Sequence, residues 1–229
     1  ISQTPEMCLN AIRNNTHAIQ YIKEDIKKQL CSGSDSVIDE NKILETLNNN
    51  PNGINSHLLQ YLEEQPEDLC MKVIKDDPYA LRYVNNQTEK LCLEAVKYNG
   101  NILEYVKNQT PEICMEAVKR NGRALQHVID KTTEICLEAV KTDGFALHFV
   151  EEQTDELCLA AVENSGFALM CVTTQTPEIC MRAVKTSAFA LQFVKEKTPE
   201  ILLEAYKYST DALYYIDDID IIASIKNEK

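Results

Sequence analysis

Residues 110–125 read Thr-Pro-Glu-Ile-Cys-Met-Glu-Ala-Val-Lys-Arg-Asn-Gly-Arg-Ala-Leu, and related stretches recur every 22 residues along the chain. The cysteines show this register most clearly: Cys70, Cys92, Cys114, Cys136, Cys158 and Cys180, with Leu202 at the next equivalent position. A constant period of this length is typical of stacked copies of one supersecondary unit. The sequence therefore predicts a repeat protein.

Each repeat opens with signals for a helix start. Thr110 can cap a helix, Pro111 suits the first helical position, and Glu112 lies favourably at the positive end of the helix dipole. The first helix is therefore predicted to begin at Pro111. Gly122 is expected to end it, because glycine readily adopts the left-handed conformation that closes many helices.

A second, shorter helix is predicted in the rest of each repeat. Ala124, Leu125 and Val128 recur at helical spacing, and this apolar pattern stops before Thr132 opens the next repeat. Each repeat is therefore expected to form a helical hairpin.

Nine such repeats can be counted in the chain. They start near residues 4, 39, 66, 88, 110, 132, 154, 176 and 198, with an inserted loop at about 26–38 and a C-terminal cap at 220–229. The second repeat is irregular, with Ile43 and Leu47 suited to its first helix and Leu58, Leu59, Tyr61 and Leu62 to its second. We predict an all-α fold, an α-solenoid (superhelix) of about nine short helical hairpins in a single domain spanning residues 1–229.

Burial is predicted from the same pattern. Isolated helices shorter than roughly 12–15 residues are marginal in water, so stacking must stabilise them. Apolar residues recur at the positions of Ile113, Cys114, Met115, Ala117 and Val118, which should form the buried layer. The positions of Glu116 and Lys119 stay polar, and these side chains are expected to pair weakly three residues apart.

The charge of the chain bears on its partners. The net charge of −13 argues against sequence-independent binding to nucleic acid, which depends on neutralising phosphates. The alternative, a nucleic-acid or nucleoprotein binder, would use the lysines that share one repeat position: Lys75, Lys97, Lys119, Lys141, Lys185 and Lys207. The chain contains no stretch of roughly 20 apolar residues, the length that a membrane span needs, so no membrane span is predicted.

No metal, cofactor or catalytic site is predicted. Cysteines at one position of successive hairpins should be about 8–10 Å apart, whereas disulfide Cα atoms lie within about 7 Å. The chain has no Cys-x-x-Cys and no histidine spacing typical of zinc. The cysteines are therefore interpreted as core residues, with Cys31 and Cys171 as the candidates for exposure. The chain also lacks a glycine-rich nucleophile turn and a phosphate loop, so we predict no enzyme activity.

One set of positions is a candidate for partner binding. Phe145, Phe167 and Phe189 follow the hairpin Gly or Ala, and His148, Met170 and Gln192 share a nearby position of variable chemistry. The rings either cover the seam between neighbouring repeats or form an exposed row that anchors a partner, since aromatic residues are frequent interface hot spots. Both interpretations remain open from sequence.

The motif Ala-Val-Lys-x-Asn-Gly-x-Ala-Leu-x-Tyr/Phe-Val, clearest at 95–106, 117–128 and 139–150, resembles a family of short tandem repeats of unknown function. That family is abundant in mimivirus-like giant DNA viruses and is found in some protists and intracellular bacteria. The resemblance implies a viral or intracellular interaction protein and carries over no catalytic residue. We predict a non-enzymatic scaffold for an unknown protein partner, cytoplasmic, or in the host cytoplasm if viral. A structural component of a particle is a further alternative.

Overall fold

The computed structural model describes residues 7, 8, 11, 22, 40–49 and 55–215. The regular structure of these residues is entirely helical, and successive helices pack against each other in tandem, which confirms the predicted α-solenoid of short repeats. The predicted inserted loop at about 26–38 and C-terminal cap at 220–229 lie outside the described residues, as does most of the first repeat.

Each described repeat contributes an α-helix followed by a 3₁₀ helix. The α-helices are Glu40–Asn48, Glu67–Asp76, Glu89–Tyr98, Pro111–Arg120, Thr133–Thr142, Asp155–Asn164, Pro177–Thr186 and Pro199–Tyr208. The 3₁₀ helices are Ser56–Tyr61, Pro78–Tyr83, Gly100–Tyr105, Gly122–His127, Gly144–Phe149, Gly166–Cys171, Ala188–Phe193 and Thr210–Tyr215.

The start of the α-helix follows the sequence prediction. In the 110–131 repeat the helix begins at Pro111, and the Thr110 hydroxyl accepts a hydrogen bond from the Ile113 N–H at 3.3 Å. Thr132, Thr154 and Thr176 cap their helices in the same way. The side chain thus satisfies one of the amides that the first helical turn leaves unpaired.

The second helix of the hairpin is tighter and shorter than an α-helix. It has six residues and ends at His127, and the next residue, Val128, donates its N–H to the Leu125 carbonyl at 3.2 Å. The equivalent bond measures 3.1–3.2 Å at Leu62, Val84, Val150, Val172 and Val194. Bonds three residues apart place Ala124 and Leu125 against the core, and both are fully buried. The predicted apolar spacing therefore belongs to a 3₁₀ helix.

The predicted role of the hairpin glycine was wrong. Gly122 does not adopt the left-handed conformation. The α-helix ends because Asn121 is extended, with φ −152° and ψ 108°, and its side chain caps the 3₁₀ helix by accepting from the Arg123 N–H at 3.0 Å. Glycine is required for space: a Cβ at Gly122 would lie less than 3.0 Å from the carbonyl oxygen of Ala139 in the next repeat.

The buried layer matches the apolar pattern. Ile113, Cys114, Ala117 and Val118 are buried, and Met115 is half-buried. The residues equivalent to these four buried ones are buried in the following repeats as well, except Tyr206, which is half-buried. In contrast, the described lysines of the shared position are all exposed. Core formation thus follows directly from the repeat.

The contacts group the chain into two compact units. The first comprises Ile1–Ala95 with Tyr105–Asn108, and the second comprises Val96–Glu104 with Gln109–Lys229. Within the second unit, the α-helices of consecutive repeats pack against one another, and so do their 3₁₀ helices. Within the first unit, the irregular repeat buries Ile43, Leu47, Leu58, Leu59 and Leu62, whereas Tyr61, which was also assigned to its second helix, is half-buried.

A glutamine amide links neighbouring repeats at five junctions of the described chain. The Nε2 of Gln109 donates to the carbonyls of Leu103 at 3.4 Å and His127 at 2.8 Å, while its Oε1 accepts from the Ile129 N–H at 3.0 Å. Gln65, Gln87 and Gln153 make all three equivalent bonds, and Gln175 makes two of them. One side chain therefore joins the 3₁₀ helix of its own repeat to the residues that end the next one.

Candidate partner-binding surface

The predicted partner-binding residues lie in three consecutive 3₁₀ helices of the second unit. Phe145, Phe167 and Phe189 are the second residues of Gly144–Phe149, Gly166–Cys171 and Ala188–Phe193. His148, Met170 and Gln192 follow three residues after each ring. We refer to these six residues as the aromatic strip.

An extended residue precedes each 3₁₀ helix that carries a ring of the strip. Asp143 is extended and accepts a hydrogen bond from the Phe145 N–H at 2.9 Å, which caps the 3₁₀ helix. Ser165 and Ser187 adopt the same extended conformation before Phe167 and Phe189. Asp143 therefore caps its 3₁₀ helix through its side chain, whereas the side chains of Ser165 and Ser187 make no capping hydrogen bond.

Two rings of the strip contact rings of the next repeat. Phe167 meets Phe193 edge to face, with centroids 5.9 Å apart, and Phe189 meets Tyr215 at 6.4 Å. Within the first unit, Tyr79 meets Tyr105 at 6.2 Å by the same spacing of 26 residues. Such pairs add about 0.5–1.5 kcal/mol beyond burial. The rings thus pack at the seam between repeats, yet Phe167 stays 36% exposed and Phe189 39% exposed.

Phe145 has a different environment from the other two rings. The residue 26 positions later is Cys171, which supplies no ring. The guanidinium of Arg123 instead lies 5.5 Å from the Phe145 centroid and bonds to Asp143 at 2.7 Å. Phe145 is half-buried as a result. Phe145 therefore has a cation–π contact with Arg123 of the preceding repeat, whereas Phe167 and Phe189 each contact a ring of the next repeat.

The variable residues of the strip are exposed. Met170 is 59% exposed, and His148 and Gln192 are also exposed. The Nε2 of Gln192 donates to the Phe189 carbonyl of its own helix at 3.0 Å. His148 lies edge to face with Phe149 at 5.3 Å. These side chains offer a thioether, an amide and an imidazole at one repeat position.

The lysine position is partly neutralised by neighbouring acids. Glu204 lies 3.8 Å from Lys185 of the preceding repeat and 3.1 Å from Lys207 of its own helix. The pairing three residues apart that we predicted occurs at Glu204–Lys207, whereas Glu116 pairs with Arg120, four residues later, at 3.5 Å. Where such pairs form, the lysines offer less positive charge to phosphates.

The cysteines of the repeats behave as core residues. Those from Cys70 to Cys180 that share the repeat position are buried, and burial raises the pKa of each thiol, that of Cys92 to about 11. Cys171 is half-buried, and burial raises its pKa too. Cys31 lies outside the described residues. A raised pKa keeps a thiol protonated and poorly nucleophilic.

An open cleft of about 370 Å³ lies at Lys131, one of the two positions where lysine interrupts the glutamine series. Lys131 stands in place of the glutamine, and Ile129, Cys136, Val150 and Glu151 also line the cleft. Neither the glutamines nor this interruption was predicted from the sequence. The available signal was the residue before each threonine cap, which is glutamine at 87, 109, 153 and 175 but lysine at 131 and 197.

The described part of the chain contains neither a membrane-spanning helix nor a metal-binding cluster. No helix in it is long and apolar enough to cross a membrane. No group of three or more His, Cys, Asp or Glu side chains among those residues is placed to hold a metal ion.

Comparison with known proteins shows one family similarity. A family model described as a domain of unknown function (DUF4116) matches residues 67–110, 88–132 and 110–153. Each match spans two repeats, and successive matches are offset by one repeat in the frame that starts near residues 66, 88 and 110. No curated protein and no solved structure gives a significant match. The chain is thus similar to a tandem repeat family of unknown function.

Proposed function

We propose that the protein is a non-enzymatic scaffold that binds another protein through the aromatic strip. The observation that carries this proposal is the contrast between two neighbouring positions. Ala168 and Leu169 are buried, and the pair Ala-Leu recurs at this position in most repeats, whereas Met170 beside them is exposed and differs from His148 and Gln192. A constant frame with a variable exposed position supports recognition rather than packing.

Repetition would extend the binding surface along the second unit. Residues at equivalent positions recur in register in a repeat protein, which creates long interaction surfaces. Along the chain, the exposed Met170 lies between Phe167 and Phe189, whose rings are partly exposed. Rigid aromatic rings and flexible methionine are both well suited to protein interfaces. We propose the cytoplasm, or the host cytoplasm for a viral protein, as the location.

A pair of matched variants tests the surface. Proteins captured from the native cytoplasm by the wild-type chain would be identified by mass spectrometry, and affinities then measured with the purified partner. Met170→Asp places a charge on the strip, and we expect it to weaken binding at least tenfold without changing the melting temperature. Tyr208→Asp is the control, because Tyr208 is equally exposed, at 60%, but lies at the end of an α-helix.

Phe167→Ala tests whether a ring is both packed and used. If Phe167 is a hot spot, its truncation should weaken binding by about 2 kcal/mol. A variant that melts much earlier but retains its affinity would show that the ring only packs against Phe193. Replacing Lys119 and Lys141 by Glu should leave a protein partner bound. If that change alone abolishes binding, the lysine-based nucleic-acid interpretation replaces the proposal.

A further inference from the structure

The cleft at Lys131 has apolar as well as polar walls. Val150, Leu157 and Cys136 line it, and so does Ile129, which is 77% exposed. The volume of the cleft, about 370 Å³, falls near the lower end for small-ligand pockets, roughly 300–1,000 Å³. The cleft is therefore large enough to receive a side chain of another molecule.

Ile129 is an exception at its repeat position. The other described repeats carry a polar, exposed residue there: Glu63, Asn85, Lys107, Glu151, Thr173 and Lys195. Stacking of the repeats therefore does not require an apolar side chain at this position. Ile129 instead adds apolar contact area to the cleft that it lines.

The surroundings of the cleft are strongly acidic. Glu151 and Glu152 line it, and four more acids are each adjacent in sequence to a residue that lines it: Asp130, Glu134, Asp155 and Glu156. All six acids are exposed, and among the residues that line the cleft only Lys131 is a cation. The six acids and this lysine carry a formal charge of −5. A cleft lined by one sign of charge concentrates ligands of the opposite sign, so this cleft favours a cationic partner.

The two acids that line the cleft have no role in the described structure. Other acids of the second unit form ion pairs: Glu116 with Arg120, Asp143 with Arg123, and Glu163 with Arg182. Within the described residues, none of the six acids around the cleft forms an ion pair, and Lys131 forms none with them. Acids in the first turn of an α-helix are stabilised by its dipole, but Glu151 and Glu152 belong to no helix. Their charge is therefore available to a partner.

We propose that this cleft binds an arginine side chain of a basic segment in the partner polypeptide. The guanidinium would donate to the carboxylates of Glu151 and Glu152, which its planar fork of N–H groups suits. The methylenes of the arginine would cover Val150 and Leu157, and an apolar residue next to it would cover Ile129. This inference rests on the proposed scaffold function and adds that its partner is basic.

The first experiment measures binding by NMR on the full ¹⁵N-labelled chain. The probe is the peptide acetyl-Leu-Arg-Leu-Arg amide, and the control carries citrulline, which has nearly the shape of arginine but no charge. We expect saturable shifts of the Glu151 and Glu152 amide resonances that weaken in 0.5 M salt and are at least tenfold weaker with the citrulline peptide. Resonances that do not move, or that move equally with citrulline, would overturn the inference.

Two further ligands test the polypeptide assignment. Ethylguanidinium carries the same cation without a chain, and acetyl-Gly-Arg-Gly-Arg amide lacks the apolar neighbour of the arginine. Both should bind at least threefold more weakly than the leucine peptide. Equal affinity for ethylguanidinium would show that the cleft takes a free cation and would overturn the assignment.

The second experiment neutralises the acids. Glu151→Gln combined with Glu152→Gln should weaken binding of the leucine peptide at least tenfold without changing the melting temperature, because both side chains are exposed. Glu63→Gln combined with Glu64→Gln is the matched control, since these exposed glutamates occupy the same repeat position but do not line the cleft. Equal losses in the two double variants would mean that the peptide follows total charge, and the cleft would be wrong as its site.

Two single substitutions test the other walls. Ile129→Thr introduces the residue of the equivalent position 173, and it should weaken binding of the leucine peptide but not of the glycine peptide. Lys131→Gln removes the competing cation and should strengthen binding at least twofold, whereas Lys141→Gln, at an exposed lysine that does not line the cleft, should have a smaller effect. Weaker binding in Lys131→Gln would contradict the charge argument.

Failure of this site can be told apart from failure of the scaffold proposal. If a partner binds and Met170→Asp weakens it, but the Glu151 and Glu152 resonances ignore the arginine peptide, only the arginine site is wrong. If the peptide binds specifically at the cleft while the strip variants have no effect on the partner, the site stands and the strip is wrong as the partner surface.

Discussion

Gly144 lies directly against the carbonyl oxygen of Ala161, which belongs to the α-helix of the next repeat. A Cβ at Gly144 would come within 3.0 Å of that oxygen, closer than real Cβ atoms approach. Gly100, Gly122 and Gly166 make the same approach to Ala117, Ala139 and Ala183. The repeats can thus stack this closely only because these glycines have no Cβ.

Gly144→Ala should therefore destabilise the second unit. The obstructing atom is backbone, so it cannot rotate away, and overpacking of this kind costs about 1–3 kcal/mol. Urea unfolding of the variant and the wild type would measure the loss. The control is Ala188→Gly, which removes a Cβ at the equivalent position and should cost only about 0.5–1 kcal/mol. A Gly144→Ala protein as stable as the wild type would contradict the packing explanation.

Gln153→Leu should loosen the junction between two repeats. The substitution keeps an apolar side chain of similar size but leaves the partners of the amide unpaired, at a cost of about 1–3 kcal/mol. The Thr173 N–H donates to Oε1 of Gln153 at 2.9 Å in the wild type. Its hydrogen exchange should therefore accelerate more than that of distant amides. Gln192→Leu serves as the control, because that exposed glutamine bonds only within its own helix. Equal effects of the two substitutions on stability would rule out a special role for Gln153.

Alkaline pH should destabilise the fold through Cys92. Burial raises the pKa of this thiol from 9.0 to about 11, so the unfolded chain loses the proton at lower pH than the folded chain does. The stabilising contribution is complete below pH 9.0 and is lost as the pH rises from there to about 11. Unfolding free energies of the wild type and Cys92→Ala, compared across this range, would isolate the contribution of the Cys92 thiol to the pH dependence of stability. A decline that is just as steep in Cys92→Ala would assign the effect to other groups.

The native protein should resist thiol labelling. Burial both covers the cysteines of the repeat position and raises their pKa, which leaves little thiolate to react. Among the described residues, only Cys171 is partly accessible, so we expect it to react first, together with Cys31 if that residue is exposed. Mass spectrometry after labelling with and without denaturant would identify the modified residues. Rapid native labelling of Cys114 or Cys158 would show that the stacked repeats open readily.

Deletion of one complete repeat should leave a shorter folded chain. Removing Thr132–Gln153 joins Lys131 to Thr154 and keeps the alternation of α-helix and 3₁₀ helix, because nearest neighbours dominate stability in repeat proteins. Removing only Thr132–Thr142 deletes an α-helix and exposes the surfaces that it covered. Circular dichroism and urea unfolding should show a much larger loss for the half-repeat deletion. Equal losses would mean that the folding unit is not the 22-residue repeat.

The candidate site was predictable in location but not in environment. The sequence placed Phe145, Phe167 and Phe189 at one repeat position, and the structure puts them at equivalent positions of consecutive 3₁₀ helices. Their contacts depend on residues 26 positions later, so a single replacement, Cys171, changes the neighbours of Phe145 without changing Phe145 itself. Whether the rings bind a partner remains a prediction.

The sequence by itself determined the repeat and its frame, because the 22-residue period can be read directly from the chain. It also determined the helix start at Pro111 and the buried face, because capping and apolar spacing act within a single helix. Only the tertiary structure decided the roles of Gly122 and Gln109. The need for glycine at position 122 comes from the carbonyl of Ala139, 17 residues later in the chain. The role of Gln109 comes from its hydrogen-bond partners His127 and Ile129, 18 and 20 residues later. Both roles arise from the close approach of neighbouring repeats, a distance that side-chain volume and backbone hydrogen bonds set together once the helices have stacked.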